Sequence, residues 1–132
     1  MWEHRDRSCH ATRNLTIVNV QLVVADMSNK IFTIYTRKGE RVRKVQCDLL
    51  TDRGFTTLCH ARNESLIVSR TTPNPELFKV NLQTVDVQWR SNRVEKPIGV
   101  TTLNKDYAVV ISHEENRCTK FFVINSFTGQ YV

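Results

Sequence analysis

The fold is decided by residues 22–35, which read LVVADMSNKIFTIY. Two apolar runs rich in β-branched residues, 22–25 and 31–35, flank a short polar turn, and this arrangement is typical of two paired β-strands. A further apolar run precedes them at 15–18, and a run that alternates in polarity follows at 41–45. Such alternation is typical of an outer strand with one face in water. The segment therefore predicts four short strands in succession.

The same pattern recurs twice further along the chain. It predicts first strands at 55–58 and 100–103, second strands at 66–69 and 108–111, and third strands at 77–81 and 121–125. A fourth strand is predicted at 85–89, and the last unit ends at Val132, barely inside its fourth strand. Phe32, Phe78 and Phe122 are predicted to occupy equivalent places in the three third strands.

A period of about 40 to 50 residues with four strands per period is typical of β-propeller blades, because one small sheet cannot bury both faces without neighbours. Helical repeats of similar length do not fit, since no unit contains a long apolar run at helical spacing. We therefore predict an all-β protein, a partial β-propeller of about three four-stranded antiparallel blades at residues 15–45, 55–90 and 98–132. Residues 1–14 show no strand pattern and are predicted to form a disordered tail. Gly39 and Gly129 are predicted to supply positive φ in the hairpin turns between third and fourth strands.

Residues 22–35, followed by Lys38-Gly39-Glu40, resemble a blade of an NHL-type propeller, and residues 96–100, KPIGV, resemble the motif that opens such blades. NHL-type propellers close with about six blades and often form the C-terminal part of tripartite-motif ubiquitin ligases, where they select substrates or RNA. The resemblance therefore implies a recognition module. It also implies that three blades leave two open sheet edges.

Two explanations of these open edges are possible. Either the chain is a piece of a longer protein, which is the interpretation we favour, or two copies join edge to edge into one ring. In both cases the chain on its own is predicted to self-associate or aggregate, because unpaired edges and one-sided apolar faces are exposed.

Charge and hydropathy leave several partners open. The 132-residue chain carries 19 Lys and Arg against 13 Asp and Glu, and this net charge of +6 permits attraction to nucleic acid, acidic proteins or anionic lipid. No apolar run reaches the length of a membrane-spanning helix, so no membrane partner is expected. The charged N-terminus is followed by no signal sequence, so a cytoplasmic location is expected.

No catalytic residue, metal ligand or cofactor is predicted. The four cysteines lie far apart without zinc-binding spacing and are predicted to be free thiols. Adjacent Cys59 and His60 would point to opposite faces of a strand, and we assign His60 to a loop, so thiol catalysis is not expected. Acidic residues, Glu76 among them, do not recur at one place in each unit and are predicted to be solvated loop residues. A calcium-dependent propeller hydrolase is therefore the least favoured class.

Binding is predicted at the top face, defined as the end of the sheets that carries the loops from second to third strands and from one blade to the next. Only the blade junction 89–96 combines an aromatic residue with several cations, as base stacking with phosphate contact requires. The candidate binding residues are Trp89, Arg90, Arg93, Lys96, Arg70, Arg117 and Lys120. A protein partner is the favoured prediction and single-stranded RNA the alternative. For Trp89, packing on the neighbouring blade is the simpler interpretation.

Overall fold

A computed structural model describes residues 12–53, 56–72, 74–113 and 118–132, and all regular structure in these ranges is β-strand. The strands are β1 Thr12–Val18, β2 Gln21–Asp26, β3 Ile31–Tyr35, β4 Arg41–Gln46, β5 Thr56–Ala61, β6 Ser65–Arg70, β7 Glu76–Asn81, β8 Val87–Ser91, β9 Pro97–Thr102, β10 Tyr107–His113 and β11 Thr119–Asn125. The predicted all-β class is confirmed. Within the described ranges, no helix is long and apolar enough to cross a membrane.

The strands form three antiparallel sheets, each built in chain order. Blade 1 contains β1 to β4, blade 2 contains β5 to β8, and blade 3 contains β9 to β11. A single bridge pairs Ile124 with Tyr131, at the place predicted for a fourth strand of blade 3. The first strands lie side by side, because β5 contacts both β1 and β9. The three sheets are therefore arranged around their first strands.

The turns that follow the third strands share one design. Asn125 Oδ1 accepts hydrogen bonds from the main-chain N–H groups of residues 127 and 128, and Asn81 Oδ1 does the same for residues 83 and 84. Thr36 Oγ1 caps the corresponding turn of blade 1. Gly39 and Gly129 have φ of 83° and 72°, which confirms the predicted glycine turns.

This turn geometry corrects the predicted equivalence of Phe32, Phe78 and Phe122. Thr36, Asn81 and Asn125 occupy the same turn position, since each donates its N–H to the carbonyl that closes the hairpin. Counting back four residues from this position in each blade gives the equivalent set Phe32, Leu77 and Phe121. The phenylalanine alignment was wrong by one residue, and such an offset moves a side chain to the other face of a strand.

Two apolar clusters hold the blades together. One joins blade 1 to blade 2 and consists of Val18, Val23, Ala25, Met27, Phe32, Ile34, Val45, Cys47, Leu50, Leu58, Leu66, Val68, Phe78, Val80 and Leu82. The other joins blade 2 to blade 3 and consists of Cys59, Ala61, Ile67, Leu77, Val94, Val100, Ala108, Val110 and Ile124. Each blade thus has a forward face toward the next blade, as at Phe32 and Leu77, and a rear face toward the previous one, as at Phe78 and Ile124.

Several predicted boundaries shift in the structure. β1 begins at Thr12, so part of the predicted tail is strand, and residues 1–11 lie outside the described ranges. His60 belongs to β5 and not to a loop, because it pairs with Leu66. The fourth strand of blade 2 starts at Val87, because the turn capped by Asn81 extends to Asp86 and holds Val85 at a φ of 65°.

Candidate functional site

Three charged side chains meet at the top of blade 2. Arg70 ends β6 and Glu76 begins β7, and the two residues are directly paired across the hairpin. Arg90 on β8 is paired with Phe78, which lies two residues after Glu76. Because alternate residues of a strand share a face, all three side chains project from the rear face of the blade. The register of the sheet therefore brings them together.

The Glu76 carboxylate binds both arginines. Arg70 Nη2 donates to Glu76 Oε2 over 2.5 Å, and Arg90 donates to the same carboxylate through both Nε and Nη2. The side chains of Arg70 and Glu76 are 10% and 8% exposed, whereas that of Arg90 is 53% exposed. The carboxylate raises the pKa of Arg90 through these hydrogen bonds and through its charge. One buried carboxylate thus holds an interior guanidinium and a surface guanidinium in fixed positions.

Arg70 also connects two blades. Its Nη1 donates to the main-chain oxygen of Leu49, which lies in the connection from blade 1 to blade 2, over 2.6 Å. Its Nε is buried and has no hydrogen-bond partner among the described residues. The side chain therefore braces the top of the interface between the blades, while its Nε–H makes no hydrogen bond within the described residues.

A cavity of 540 Å³ opens beside these groups. It is lined by Arg70, Asn74, Pro75, Glu76, Arg90, Asn92, Val94 and Glu95. The lining holds two cations, two anions and two side-chain amides, so its formal charge is balanced. Its volume is in the range of small-molecule pockets. The cavity lies between the loops β6–β7 and β8–β9, which belong to the predicted top face.

No family model matches this sequence, and no curated protein matches it. Solved structures match along the whole chain. The WD40 domain of Pan2 from Neurospora crassa aligns with 100% of this chain and 42% of its own, with a TM-score of 0.72 and 13% identity. Hydrazine synthase from Kuenenia stuttgartiensis aligns with 98% of this chain and 37% of its own, with a TM-score of 0.69 and 13% identity. The computationally designed protein Ika4 aligns with 100% of this chain and 78% of its own, with a TM-score of 0.62 and 11% identity.

The chain folds as a partial β-propeller. At these identities the likeness concerns the fold alone, which is that of propeller-like proteins. The chain spans less than half the length of the first two of these proteins. The predicted fold class, an open set of about three antiparallel blades, is confirmed.

Two of the seven predicted site residues, Arg70 and Arg90, line the cavity at the top of blade 2. Arg93 and Lys96 are exposed in the loop between β8 and β9, and Lys120 is exposed on β11. Arg93 acts electrostatically on Tyr131, whose pKa is raised mainly by burial and is lowered in part by this arginine. Arg117 lies outside the described residues.

Trp89 lies on the other side of the blade. Its neighbour in the register is Lys79, and both side chains belong to the forward face, toward blade 3. Trp89 Nε1 donates to the main-chain oxygen of Ser126 over 3.0 Å. The indole therefore packs on the neighbouring blade, which is the simpler of the two interpretations. Trp89 and Arg90 do not form one stacking surface, because adjacent strand residues point to opposite faces.

Glu76, Asn74 and Asn92 were missed as site residues. The prediction that Glu76 is a solvated loop acid was wrong, because it begins β7 and is buried against Arg70. A signal was present in the sequence, since a hairpin closed by the proline-containing segment 71–75 places residues 70 and 76 opposite one another. The sequence contains no comparable signal for Asn74 and Asn92.

The described part of the propeller contains three of the four cysteines. No group of three or more His, Cys, Asp and Glu side chains that could hold a metal ion occurs there. Cys47, Cys59 and Cys118 are free thiols, and burial raises the pKa of Cys47 and Cys59. Such a shift disfavours the thiolate that a nucleophile requires. Burial also lowers the pKa of His60, whose Nε2 has no hydrogen-bond partner among the described residues.

Proposed function

We propose that this chain is a non-catalytic recognition module that binds an extended segment of a partner protein in the cavity at the top of blade 2. The observation that carries the proposal is the pair of arginines held by the buried Glu76 carboxylate beside an open cavity of 540 Å³. A propeller is suited to this role, because its loops stand on a rigid sheet scaffold.

The chemistry of the lining favours a polypeptide. A peptide backbone presents both N–H donors and C=O acceptors, and the amides of Asn74 and Asn92 can meet both kinds of group. Arg90 offers guanidinium donors at the surface, and Pro75 and Val94 add apolar contact for a side chain. Balanced formal charge gives the cavity no strong field for a polyanion, which ranks RNA below protein.

Fixed side chains also favour binding. Arg90 loses little further freedom when a ligand arrives, because its guanidinium is already hydrogen-bonded at two positions to Glu76. Arg70 is held from both blades through Glu76 and the Leu49 oxygen. Such preorganisation reduces the entropy lost on binding, and therefore supports a recognition role.

Within the propeller class, we assign the chain to the NHL type on the segment 22–35 and on the segment 96–100. By this assignment, the chain is part of a larger protein of the tripartite-motif kind, in which the propeller selects the partner. The assignment is independent of the cavity, and a search of the flanking reading frame for further blades or an upstream RING domain tests it.

The binding proposal is tested by selecting random linear peptides on the immobilised protein and measuring their affinity by fluorescence anisotropy. Asn92→Trp places a large ring at the cavity and should weaken the selected peptides by about tenfold or more. Arg90→Ala should weaken those with acidic side chains. Leu103→Trp introduces the same ring in the exposed loop between β9 and β10, at the opposite end of the sheets, and serves as the matched control.

Peptides that bind the wild type and the Leu103→Trp variant equally, and that lose affinity with Asn92→Trp, support the proposal. Selection of no peptide, or of peptides that bind Asn92→Trp as tightly as the wild type, would contradict it.

A further inference from the structure

A second cavity opens at the bottom face, defined as the end of the sheets that carries the turns from first to second and from third to fourth strands. It has a volume of 320 Å³ and lies among the first turns of the three blades. Its lining includes Asn19, His60, Arg62, Asn63, Asn104 and Lys105. Two cations and no Asp or Glu line this cavity, whereas the charges around the cavity at the top of blade 2 are balanced. The bottom cavity therefore favours an anionic ligand.

The two cations of this lining keep their donors available. The Arg62 guanidinium makes no hydrogen bond with the described residues, and its ion pair with Asp106 is long, at 4.0 Å between Nη1 and Oδ1. Its side chain is 48% exposed. Lys105 is exposed and has no ion-pair partner in the described ranges. Both groups thus differ from Arg90, which the Glu76 carboxylate already holds through two nitrogen atoms.

Side-chain amides beside the cations add neutral donors. Asn104 Oδ1 caps its own turn by accepting hydrogen bonds from the main-chain N–H groups of residues 106 and 107, over 2.8 and 3.0 Å. The Asn104 Nδ2 group has no partner among the described residues, and neither has the Asn63 side chain. The cavity therefore brings several unused donors together and suits a ligand group rich in acceptor oxygens.

Contacts between the blades hold the turns that carry these donors. The Thr102 hydroxyl donates to the His60 main-chain oxygen and so joins β9 to β5 just before their turns begin. The β5–β6 turn is a tight hairpin with a φ of 59° at Asn63 and 57° at Glu64. Because the main chain of both turns is fixed, little of its freedom remains to be lost when a ligand arrives.

Acidic residues on either side confine the positive charge to this cavity. Asp106 directly follows Lys105, and Glu64 Oε1 accepts a hydrogen bond from Asn19 Nδ2 over 3.4 Å. A polyanion such as RNA needs a continuous cationic track for its successive phosphates. One compact dianion needs only a single cationic focus. The arrangement therefore favours an isolated phosphate monoester, which carries a charge of about −1.5 to −2 and three strong acceptor oxygens.

We infer that the cavity between Arg62 and Lys105 binds one phosphate monoester group, carried by a phosphorylated side chain of a partner protein. Arg62 supplies the planar guanidinium that can pair with two phosphate oxygens, and Lys105 adds a point charge from the neighbouring blade. No Phe, Tyr or Trp lines the cavity to stack on a nucleobase, and this favours a protein over a nucleotide as the source. The site is separate from the cavity at the top of blade 2, so either proposal can fail alone.

Surface plasmon resonance on the immobilised protein tests the inference with two short Gly/Ala peptides, one with a central phosphoserine and one with serine. Only the phosphorylated peptide should bind. Arg62→Gln with Lys105→Gln should weaken its binding by about tenfold or more. Arg37→Gln with Lys38→Gln removes two exposed cations from the β3–β4 turn of blade 1, which also lies at the bottom face, and should bind like the wild type. All four side chains are exposed, so both double variants should keep the fold, as circular dichroism can verify.

A variant that gains affinity excludes a purely structural explanation. Asp106→Asn removes the carboxylate beside Arg62 and should tighten the binding of the phosphopeptide by about threefold, a gain that misfolding cannot produce. Asp86→Asn, in the exposed bottom turn of blade 2, is the matched control and should leave the affinity unchanged.

Competition identifies the source of the phosphate. Inorganic phosphate and a short single-stranded RNA should each displace the phosphopeptide only at higher concentration than the unlabelled phosphopeptide does. RNA or inorganic phosphate that competes as well as the phosphopeptide would overturn the assignment to a protein side chain. Equal binding of the two peptides, or equal losses in the two double variants, would overturn the site itself.

Discussion

Trp89 Nε1 donates a hydrogen bond to the Ser126 main-chain oxygen, 3.0 Å away, and thereby joins the outer strand of blade 2 to the last turn of blade 3. Lys79 Nζ donates to the same oxygen over 2.9 Å. Gly129 lies in this turn so close to the indole that an added Cβ would be 2.5 Å from Trp89 Cε3. The outer part of the interface between blades 2 and 3 is thus one tightly packed unit.

Gly129→Ala should destabilise the protein by about 2 to 4 kcal/mol, because the new methyl group overlaps the indole ring in addition to the strain of a positive φ. Gly39→Ala is the matched control, since Gly39 has a similar φ in the corresponding turn of blade 1. It should cost about 1 kcal/mol. Denaturant unfolding measures both values, and an equal effect of the two substitutions would show that the contact with Trp89 is unimportant.

Lys79 should make the free energy of unfolding depend on pH in the alkaline range. Burial lowers the pKa of Lys79 in the folded protein, so in the window between that lowered pKa and the unfolded value of about 10.4 the unfolded chain binds more protons. The stability of the wild type should therefore rise through this window relative to that of Lys79→Met. The comparison uses urea unfolding at several pH values from 7 to 10.

The exposed Lys38→Met variant controls for the loss of one charge. A free-energy difference between wild type and Lys79→Met that does not change with pH would exclude a role for Lys79 in this pH dependence. In Lys79→Met the Ser126 main-chain oxygen still accepts the hydrogen bond from Trp89 Nε1. The substitution therefore does not leave this oxygen without a donor, and the pH dependence can be attributed to the Lys79 charge.

Glu76→Gln should destabilise the protein by about 3 kcal/mol, because it leaves the buried Arg70 guanidinium without its counter-charge. Arg90→Ala should cost about 1 kcal/mol or less, since this guanidinium is half exposed and its ion pair is screened by water. The double variant Arg70→Met with Glu76→Leu should recover much of the stability lost in Glu76→Gln. Thermal and urea unfolding provide the measurement, and a Glu76→Gln protein as stable as the wild type would contradict the buried pair.

RNA affinity should be weak, indifferent to sequence and strongly reduced by salt, because it arises from net charge and not from a focused surface. The double variant Arg90→Ala with Arg93→Ala should reduce it no more than Arg41→Ala with Arg43→Ala, since the balanced charge around the cavity gives no focused field. Fluorescence anisotropy with short single-stranded RNAs at two salt concentrations tests this. Submicromolar, sequence-selective binding that only the first pair of substitutions abolishes would make RNA the ligand.

Much of the fold follows from local chemistry that the sequence displays. The β-branched runs specify strands, and glycines such as Gly39 specify the turns, because these preferences act within a few residues. The positions of Arg70 and Arg90 at the top of blade 2 could be inferred in the same way. The pairing of Arg70 with Glu76 was within reach, but only once the length of the intervening hairpin was known.

The sequence by itself determined three antiparallel blades, their order and the glycine turns between third and fourth strands. Only the tertiary structure decided which face each side chain occupies: Trp89 against Ser126, Glu76 in the interior, and Phe121 in place of Phe122 at the repeated position. The physical reason is the two-residue period of a strand, in which a register offset of one residue exchanges the faces. That register is set by turns and by packing between blades, both of which depend on contacts distant in sequence.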